Sequence, residues 1–135
     1  MNYSITELKK FSDERGFLIE FLKQSDLPDS QKAFGQIYLA TLNPGSCRGN
    51  HFHRMKDENF AIMNGRAEVT LEDIHTKERE TFELDSSGEK LKRLTVGSNV
   101  AHLIKNISDQ VLVLCAYTNK EYDSKNLDQE DYRLA

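Results

Sequence analysis

Two histidines, His51 and His53, and a glutamate five residues further on, Glu58, stand inside the stretch GSCRGNHFHRMKDENFAIMNG, Gly45 to Gly65. Side chains on a strand alternate between faces, so residues two apart share one face. With Arg48 to His53 as a strand, both imidazoles point the same way. Glu58 opens the next run, ENFAIMN, in which Glu58, Phe60 and Ile62 share one parity. Two imidazoles and a carboxylate converging from neighbouring strands suit a divalent transition metal, zinc first, with manganese, iron or nickel as alternatives. His102, in AHLIKN, is a fourth candidate ligand. Arg48, Arg54, Lys56 and Arg66 fall in or beside the same stretch. Such a basic cluster can bind a small phosphorylated ligand.

These residues need strands to position them, and the chain supplies little else. Ile5 to Phe11 is a first run, closed by SDERG with Gly16 as a turn residue. Phe17 to Lys23 puts Phe17, Ile19 and Phe21 on one face. Glu20 faces the other way, toward a ligand or toward water. QSDLPDSQK reads as a loop with a helical turn, and Gly35 to Leu42 as a strand ended by Asn43-Pro44-Gly45. Asn64-Gly65 between two apolar runs is a type I′ hairpin signal. AEVTLED alternates cleanly, and Thr81 to Leu84 is expected to pair back onto it. LKRLTV, AHLIKN and QVLVLCAY complete about ten short strands without a long helix. That pattern predicts an all-β sandwich or barrel, a jelly roll best of all, as a single domain over residues 1–135. Most of the charged tail from Asn119 is expected on the surface or mobile.

The net charge of −4 excludes the basic footprint of a nucleic-acid binder. No apolar run is long enough for a bilayer, and MNYSITELKK lacks the apolar stretch of a signal peptide, so a cytoplasmic protein is expected. Cys47 and Cys115 form no spaced framework. Cys115 reads as a small buried hydrophobe and Cys47 as a thiol near a turn. Exposed sheet edges near the N-terminus predict a homodimer.

Gly45, His51, His53, Glu58 and Gly65 spell G-x5-H-x-H-x4-E-x6-G, which resembles the first cupin motif. Of the second motif, His102 and Asn106 are present. Gly97 replaces its proline, Asn99 its inner glycine and Leu91 its leading glycine. Asn tolerates left-handed backbone geometry, so the turn can survive. SDERGFLIEF and RGNHFH resemble segments of the cupin sugar epimerases and ketoisomerases. Asp13-Glu14-Arg15-Gly16, Pro44-Gly45, Gly49-Asn50-His51, His53, Glu58, Phe60, Gly65, His102, Ile104 and Asn106 together resemble the C-terminal cupin domain of bifunctional capsular polysaccharide enzymes. Ala101 stands where threonine is usual there.

The resemblance implies a 4-keto nucleotide-sugar as substrate. A ketone acidifies the neighbouring carbon, and returning the proton to the other face gives an epimer, or elsewhere a ketoisomer. It implies Arg15 and Arg48 at the diphosphate, Asn50 and Glu20 near the substrate, and Tyr117 or Tyr122 as the acid. It implies two roles for His51, base in metal-free relatives and ligand in metal-binding ones, and one nitrogen cannot fill both at once. The carboxylate at position 58 favours the ligand role. Tyr38 reads as core or rim packing and Asp13 as a turn residue. A non-enzymatic sugar- or metal-binding cupin and a metallo-cupin dioxygenase are the other function classes.

Overall fold

Short alternating runs, each closed by turn residues, leave the chain little to form but strands. The computed structural model describes residues 1–135. The strands are β1 (Tyr3–Lys9), β2 (Phe11–Asp13), β3 (Gly16–Leu18), β4 (Gln36–Leu42), β5 (Cys47–Phe52) and β6 (Glu58–Ile62). They continue with β7 (Arg66–Asp73), β8 (Arg79–Asp85), β9 (Lys90–Val96), β10 (Val100–Asn106), β11 (Leu112–Thr118) and β12 (Glu130–Asp131). Single 3₁₀ turns at Gln24–Asp26 and Asp29–Gln31 fill the expected loop. One sheet runs β1-β9-β6-β11-β4 and the other β12-β5-β10-β7-β8, with β2-β3 a separate hairpin. The inner faces meet in one core, with Phe60, Ile62, Leu94 and Leu114 from the first sheet and Val69, Leu71, Leu84 and Ile104 from the second. Burying each such side chain contributes about 1.5–3 kcal/mol.

Two expectations are corrected. Asn64-Gly65 is not a hairpin turn. The strand before it, β6, pairs with β9 and β11, and the strand after it, β7, pairs with β8 and β10. The chain crosses between sheets there, and only Gly65 of the two has a positive φ, 72°. A type I′ turn needs both. Nor is Phe17 to Lys23 one strand. β3 stops at Leu18, and beyond it buried Arg93 donates from Nη1 to the Phe21 carbonyl at 2.8 Å and to Asp26 Oδ2 at 3.2 Å. An arginine thus replaces a strand partner. Most of the tail lies on the surface, as expected, but its last residues dock. β12 pairs with β5, and Leu134 is buried against Phe52, Ala101 and Leu103.

A β-bulge in β5 decides what faces inward. His102 pairs with His51 and Ile104 with Arg48, but Leu103 pairs with Gly49, leaving Asn50 as the extra residue. Arg48 and His51 are three apart, so a regular strand would turn them to opposite faces. With one residue inserted, both oppose inward-facing residues of β10. Gly49 takes φ 119° and Asn50 φ 58°. A Cβ on Gly49 would lie 2.3 Å from the His102 carbonyl oxygen. Gly49→Ala should therefore destabilise the protein by about 2–4 kcal/mol in urea denaturation. Gly88→Ala shares only the φ penalty, with φ 90° and nothing within 4 Å, and should cost about 1 kcal/mol. Equal losses would count against the bulge as a fixed feature.

Candidate active site

Parity and pairing bring the candidate ligand side chains to one end of the sandwich. His51 and His102 are cross-strand partners on β5 and β10, their ring centroids 4.7 Å apart. Glu58, first residue of β6, comes from the opposite sheet and is buried. His53 lies just past β5, held by its own carbonyl, which accepts the Asn99 N–H at 2.7 Å. Asn99 has φ 65°, the left-handed geometry that lets it stand where the motif expects glycine. One ligand atom each from His51, His53 and Glu58 fall within 4.8 Å of one another. His102 flanks this trio, its Nε2 3.9 Å from Glu58 Oε1, and packs against the Phe60 ring at 5.4 Å.

Hydrogen bonding fixes which atoms are free. The His53 Nδ1 contacts the Asp128 backbone carbonyl, and a carbonyl only accepts, so Nδ1 carries a proton. His53 Nε2 is then turned to Glu58 Oε1. Tyr38 donates its hydroxyl to the other oxygen, Oε2, at 3.0 Å. Glu58 Oε1 and His102 Nδ1 are buried without a hydrogen-bond partner. In neutral His53 a nitrogen lone pair would face a carboxylate oxygen in a dry interior. That juxtaposition calls for positive charge between them, either a proton on Nε2 or a metal ion. The donor set of imidazoles and one carboxylate fits a divalent cation.

The protonation states agree with that use. Burial alone would raise the Glu58 pKa, but His53, His102 and Tyr38 outweigh it and hold the carboxyl at about 2. Burial pushes His102 down to about 4, against the partial pull of Glu58. Burial and the neighbouring His53 also lower His51. Burial and then the Glu58 carboxylate push the Tyr38 hydroxyl well above its usual value, so it stays a donor. A carboxylate with neutral His51 and His102 is the state a cation needs at neutral pH.

Above this floor opens a cavity of about 790 Å³ whose wall includes Tyr38, Arg48, His51, Phe60, His102 and Ile104. Arg48 reaches it through the bulge and donates from Nε to the Thr41 carbonyl at 3.2 Å. Cys47 also lines it, as an exposed thiol, while Cys115 is only half-buried rather than a core residue.

The other expected site residues lie elsewhere. Tyr117 pairs with Asn59 and Ile37 and so faces away from the cavity, where its hydroxyl accepts the Gly35 N–H at 3.0 Å. Tyr122 is 59% exposed beyond the end of β11 and does not line the cavity. Arg15 sits on the β2–β3 hairpin, solvent-exposed and paired with Asp13. Glu20 is exposed after β3. Asn50 turns outward at the bulge, where its Oδ1 accepts the Leu134 N–H at 2.8 Å and its Nδ2 donates to the Ala135 carbonyl at 3.2 Å. Asn106, fully buried, donates to the Leu42 and Gln110 carbonyls and accepts from Ser108, so this motif residue is structural. Tyr38 packs against the core as the sequence suggested, and its hydroxyl bond to Glu58 is the part that sequence reasoning did not foresee. Its signal was a hydroxyl on the same strand face as Ala40 and Leu42.

The buried groups set a pH dependence. His102 contributes stability that is fully present above its ordinary value of 6.5 and is lost as pH falls toward 4. The Glu58 contribution is fully present above 4.5 and is lost as pH falls toward 2. Both act in the same sense. Chelator-treated protein should lose about 3 kcal/mol between pH 6.5 and 4 through His102. Urea titrations of His102→Gln over this range should show that loss removed, and an unchanged pH profile would refute the assignment.

Residues 11–130 match the family described as "Polysaccharide biosynthesis C-terminal domain". The chain is 31% identical over 117 residues to the UDP-2-acetamido-2,6-beta-L-arabino-hexul-4-ose reductase of Pseudomonas aeruginosa, a match covering 87% of this chain and 29% of that protein. It superposes on the capsular polysaccharide assembling protein CapF of Staphylococcus aureus with a TM-score of 0.70 at 25% identity, over 94% of this chain and 34% of that one. It therefore spans about a third of the length of each of these two. A dTDP sugar isomerase from Desulfovibrio desulfuricans shares the fold, with a TM-score of 0.85 at 19% identity over 98% of this chain and 84% of that one. The sandwich is thus the cupin-type jelly roll expected from the motif spacing, and the chain belongs to the polysaccharide biosynthesis C-terminal domain family.

Proposed function

We propose that this chain is an epimerase or ketoisomerase that removes the proton beside the ketone of a dTDP- or UDP-linked 4-keto sugar, in surface polysaccharide or deoxysugar biosynthesis. The observation that carries this reading is the cavity, which brings neutral imidazoles and one guanidinium from one sheet to face a protonated phenol from the other. Its volume of about 790 Å³ suits a ligand of that size. The Pseudomonas aeruginosa relative lends support, since its name carries a UDP-linked hexul-4-ose, a sugar with its ketone at carbon 4.

Each residue has a task in this reading. Arg48 binds the diphosphate through the guanidinium nitrogens not engaged by Thr41. Tyr38 takes the place of Tyr117 and Tyr122 as the acid, since it is the tyrosine in the cavity wall and stays protonated, and it gives its one proton to the substrate by turning it away from Glu58 Oε2. His51, His53 and Glu58 would hold a divalent ion, zinc first, with His102 beside them. When bound, such an ion supplies Lewis-acid stabilisation of the enolate charge. Without the ion, His51, half-buried at the cavity wall and neutral, is the base; with the ion bound it is a ligand and the base is another group. A homodimer belongs to the same reading, supported by the exposed Phe11, Phe17 and Leu18 of the N-terminal hairpin. A monomer in light scattering would argue against it.

Solvent exchange tests the chemistry. A 4-keto sugar nucleotide incubated in deuterated water should exchange the proton at carbon 3, because exchange needs only the enolate. Exchange that survives chelation assigns His51 as base. Exchange lost on chelation and restored by zinc assigns it as ligand. Tyr38→Phe should lower product formation about 10²-fold or more, and exchange less, since it removes the acid after the enolate has formed. Arg48→Ala should mainly raise KM. No exchange with dTDP- or UDP-linked substrates in zinc-replete protein would replace the enzyme reading with that of a binding module.

A further inference from the structure

The tail does more than cover the sandwich. It runs along the strand that carries the imidazoles. Glu130 pairs with Phe52 and Asp131 with His51. The Tyr132 N–H donates to the Asn50 carbonyl at 2.8 Å, and the Leu134 N–H to Asn50 Oδ1 at 2.8 Å. Leu134 is anchored in the small cluster of Phe52, Ala101 and Leu103. At the near end, Asp128 closes on the turn after His53. Its Oδ1 accepts the Arg54 N–H at 2.8 Å and its Oδ2 the Met55 N–H at 2.9 Å. Arg54 in turn donates to Glu130 Oε2 at 2.7 Å. The Asp128 carboxylate therefore locks its own backbone against the turn, and that backbone supplies the carbonyl that meets His53 Nδ1.

We propose that residues 128–134 form a strap that fixes His53 as a proton carrier at Nδ1 and leaves Nε2 directed to Glu58, with Asp128 as the positioning residue. The inference rests on the metal-site reading only for its purpose, since the tautomer itself follows from the carbonyl acceptor. An imidazole free to rotate would expose either nitrogen, and ring flipping would carry the donor atom away from Glu58. Partners behind a metal-binding histidine act on affinity in just this way, and their loss commonly weakens metal binding 10–100-fold. The carboxylate works at one remove, through two backbone N–H groups, so no local sequence signal links positions 128 and 53.

The test uses the full chain and two readouts. Long-range proton–nitrogen NMR on ¹⁵N-labelled, zinc-free protein reports whether His53 Nδ1 bears a slowly exchanging proton. Competition with a chromophoric chelator gives the zinc affinity. Wild-type protein should show the Nδ1 proton. Asp128→Ala should lose it to exchange and bind zinc about 10–100-fold more weakly. Asp128→Asn, which keeps one acceptor oxygen, should restore part of both. A wild-type His53 protonated at Nε2 alone would overturn the proposal, and so would an Asp128→Ala protein with both readouts unchanged. If Asp128→Ala does not fold, shown by its circular dichroism melt, the wild-type spectrum still decides the tautomer. Wild-type protein with the Nδ1 proton but no zinc affinity would sink the metal site and leave the strap standing.

Discussion

A carboxylate in the interior of a small β-sandwich is the constraint on which the rest of this structure turns. Glu58 is 4% exposed and ionised, and an unpaired buried charge costs several kcal/mol. Its surroundings offset that cost from three directions. Tyr38 donates from β4, His53 approaches from the end of β5, and His102 stands behind on β10. Each comes from a different strand and both sheets contribute. The two sheets must therefore keep their relative placement for the carboxylate to remain charged. Asn106 strengthens that placement, since it lies in one sheet and bonds the Leu42 carbonyl in the other.

The bulge in β5 is the second half of the arrangement. Without the inserted Asn50, a strand that presents His51 to the cavity must send Arg48 outward. The insertion gives the cavity a cation. It also directs the Asn50 side chain outward, where it holds the tail. One irregularity thus couples the cavity-facing arginine to the docking of residues far along the chain. A change at Gly49 or Asn50 is expected to be felt at both.

What the sequence revealed, and what it hid, follows from how each residue acts. His51, His53, Glu58 and His102 were brought together on paper by side-chain type and strand parity, and both are written in the sequence. So is the all-β class, since alternation and turn residues dictate it. Arg48 was identified by its charge, but its direction depended on a bulge that spacing does not announce. Tyr38 packs on the core as its type suggested, but the bond from its hydroxyl to Glu58 depends on how the two sheets face each other, which spacing does not show. Tyr117 and Tyr122 were suggested by a family's habit of late tyrosines, and the pairing of Tyr117 with Ile37 and Asn59 turns it outward. Asn64-Gly65 has hairpin chemistry, yet strand partners are chosen by the packing of whole sheets, which a two-residue turn cannot decide. Asp128 was invisible because it offers His53 a backbone carbonyl, a group every residue possesses. The charged composition of the tail concealed the one apolar anchor that matters, Leu134.

The apolar side of the cavity shapes its chemistry as much as the polar side does. Phe60, Ile104 and Leu114 belong both to the core and to the cavity wall. They keep water from the floor, and a drier floor strengthens every electrostatic interaction there. The same dryness raises Tyr38, lowers His51 and His102, and leaves Glu58 dependent on its neighbours. A wetter cavity would let the imidazoles take up protons near neutral pH. They would then be of no use either as bases or as ligands. The core that holds the sheets together is thus also what keeps the site in its working protonation state, and acid attacks both at once by charging the buried histidine.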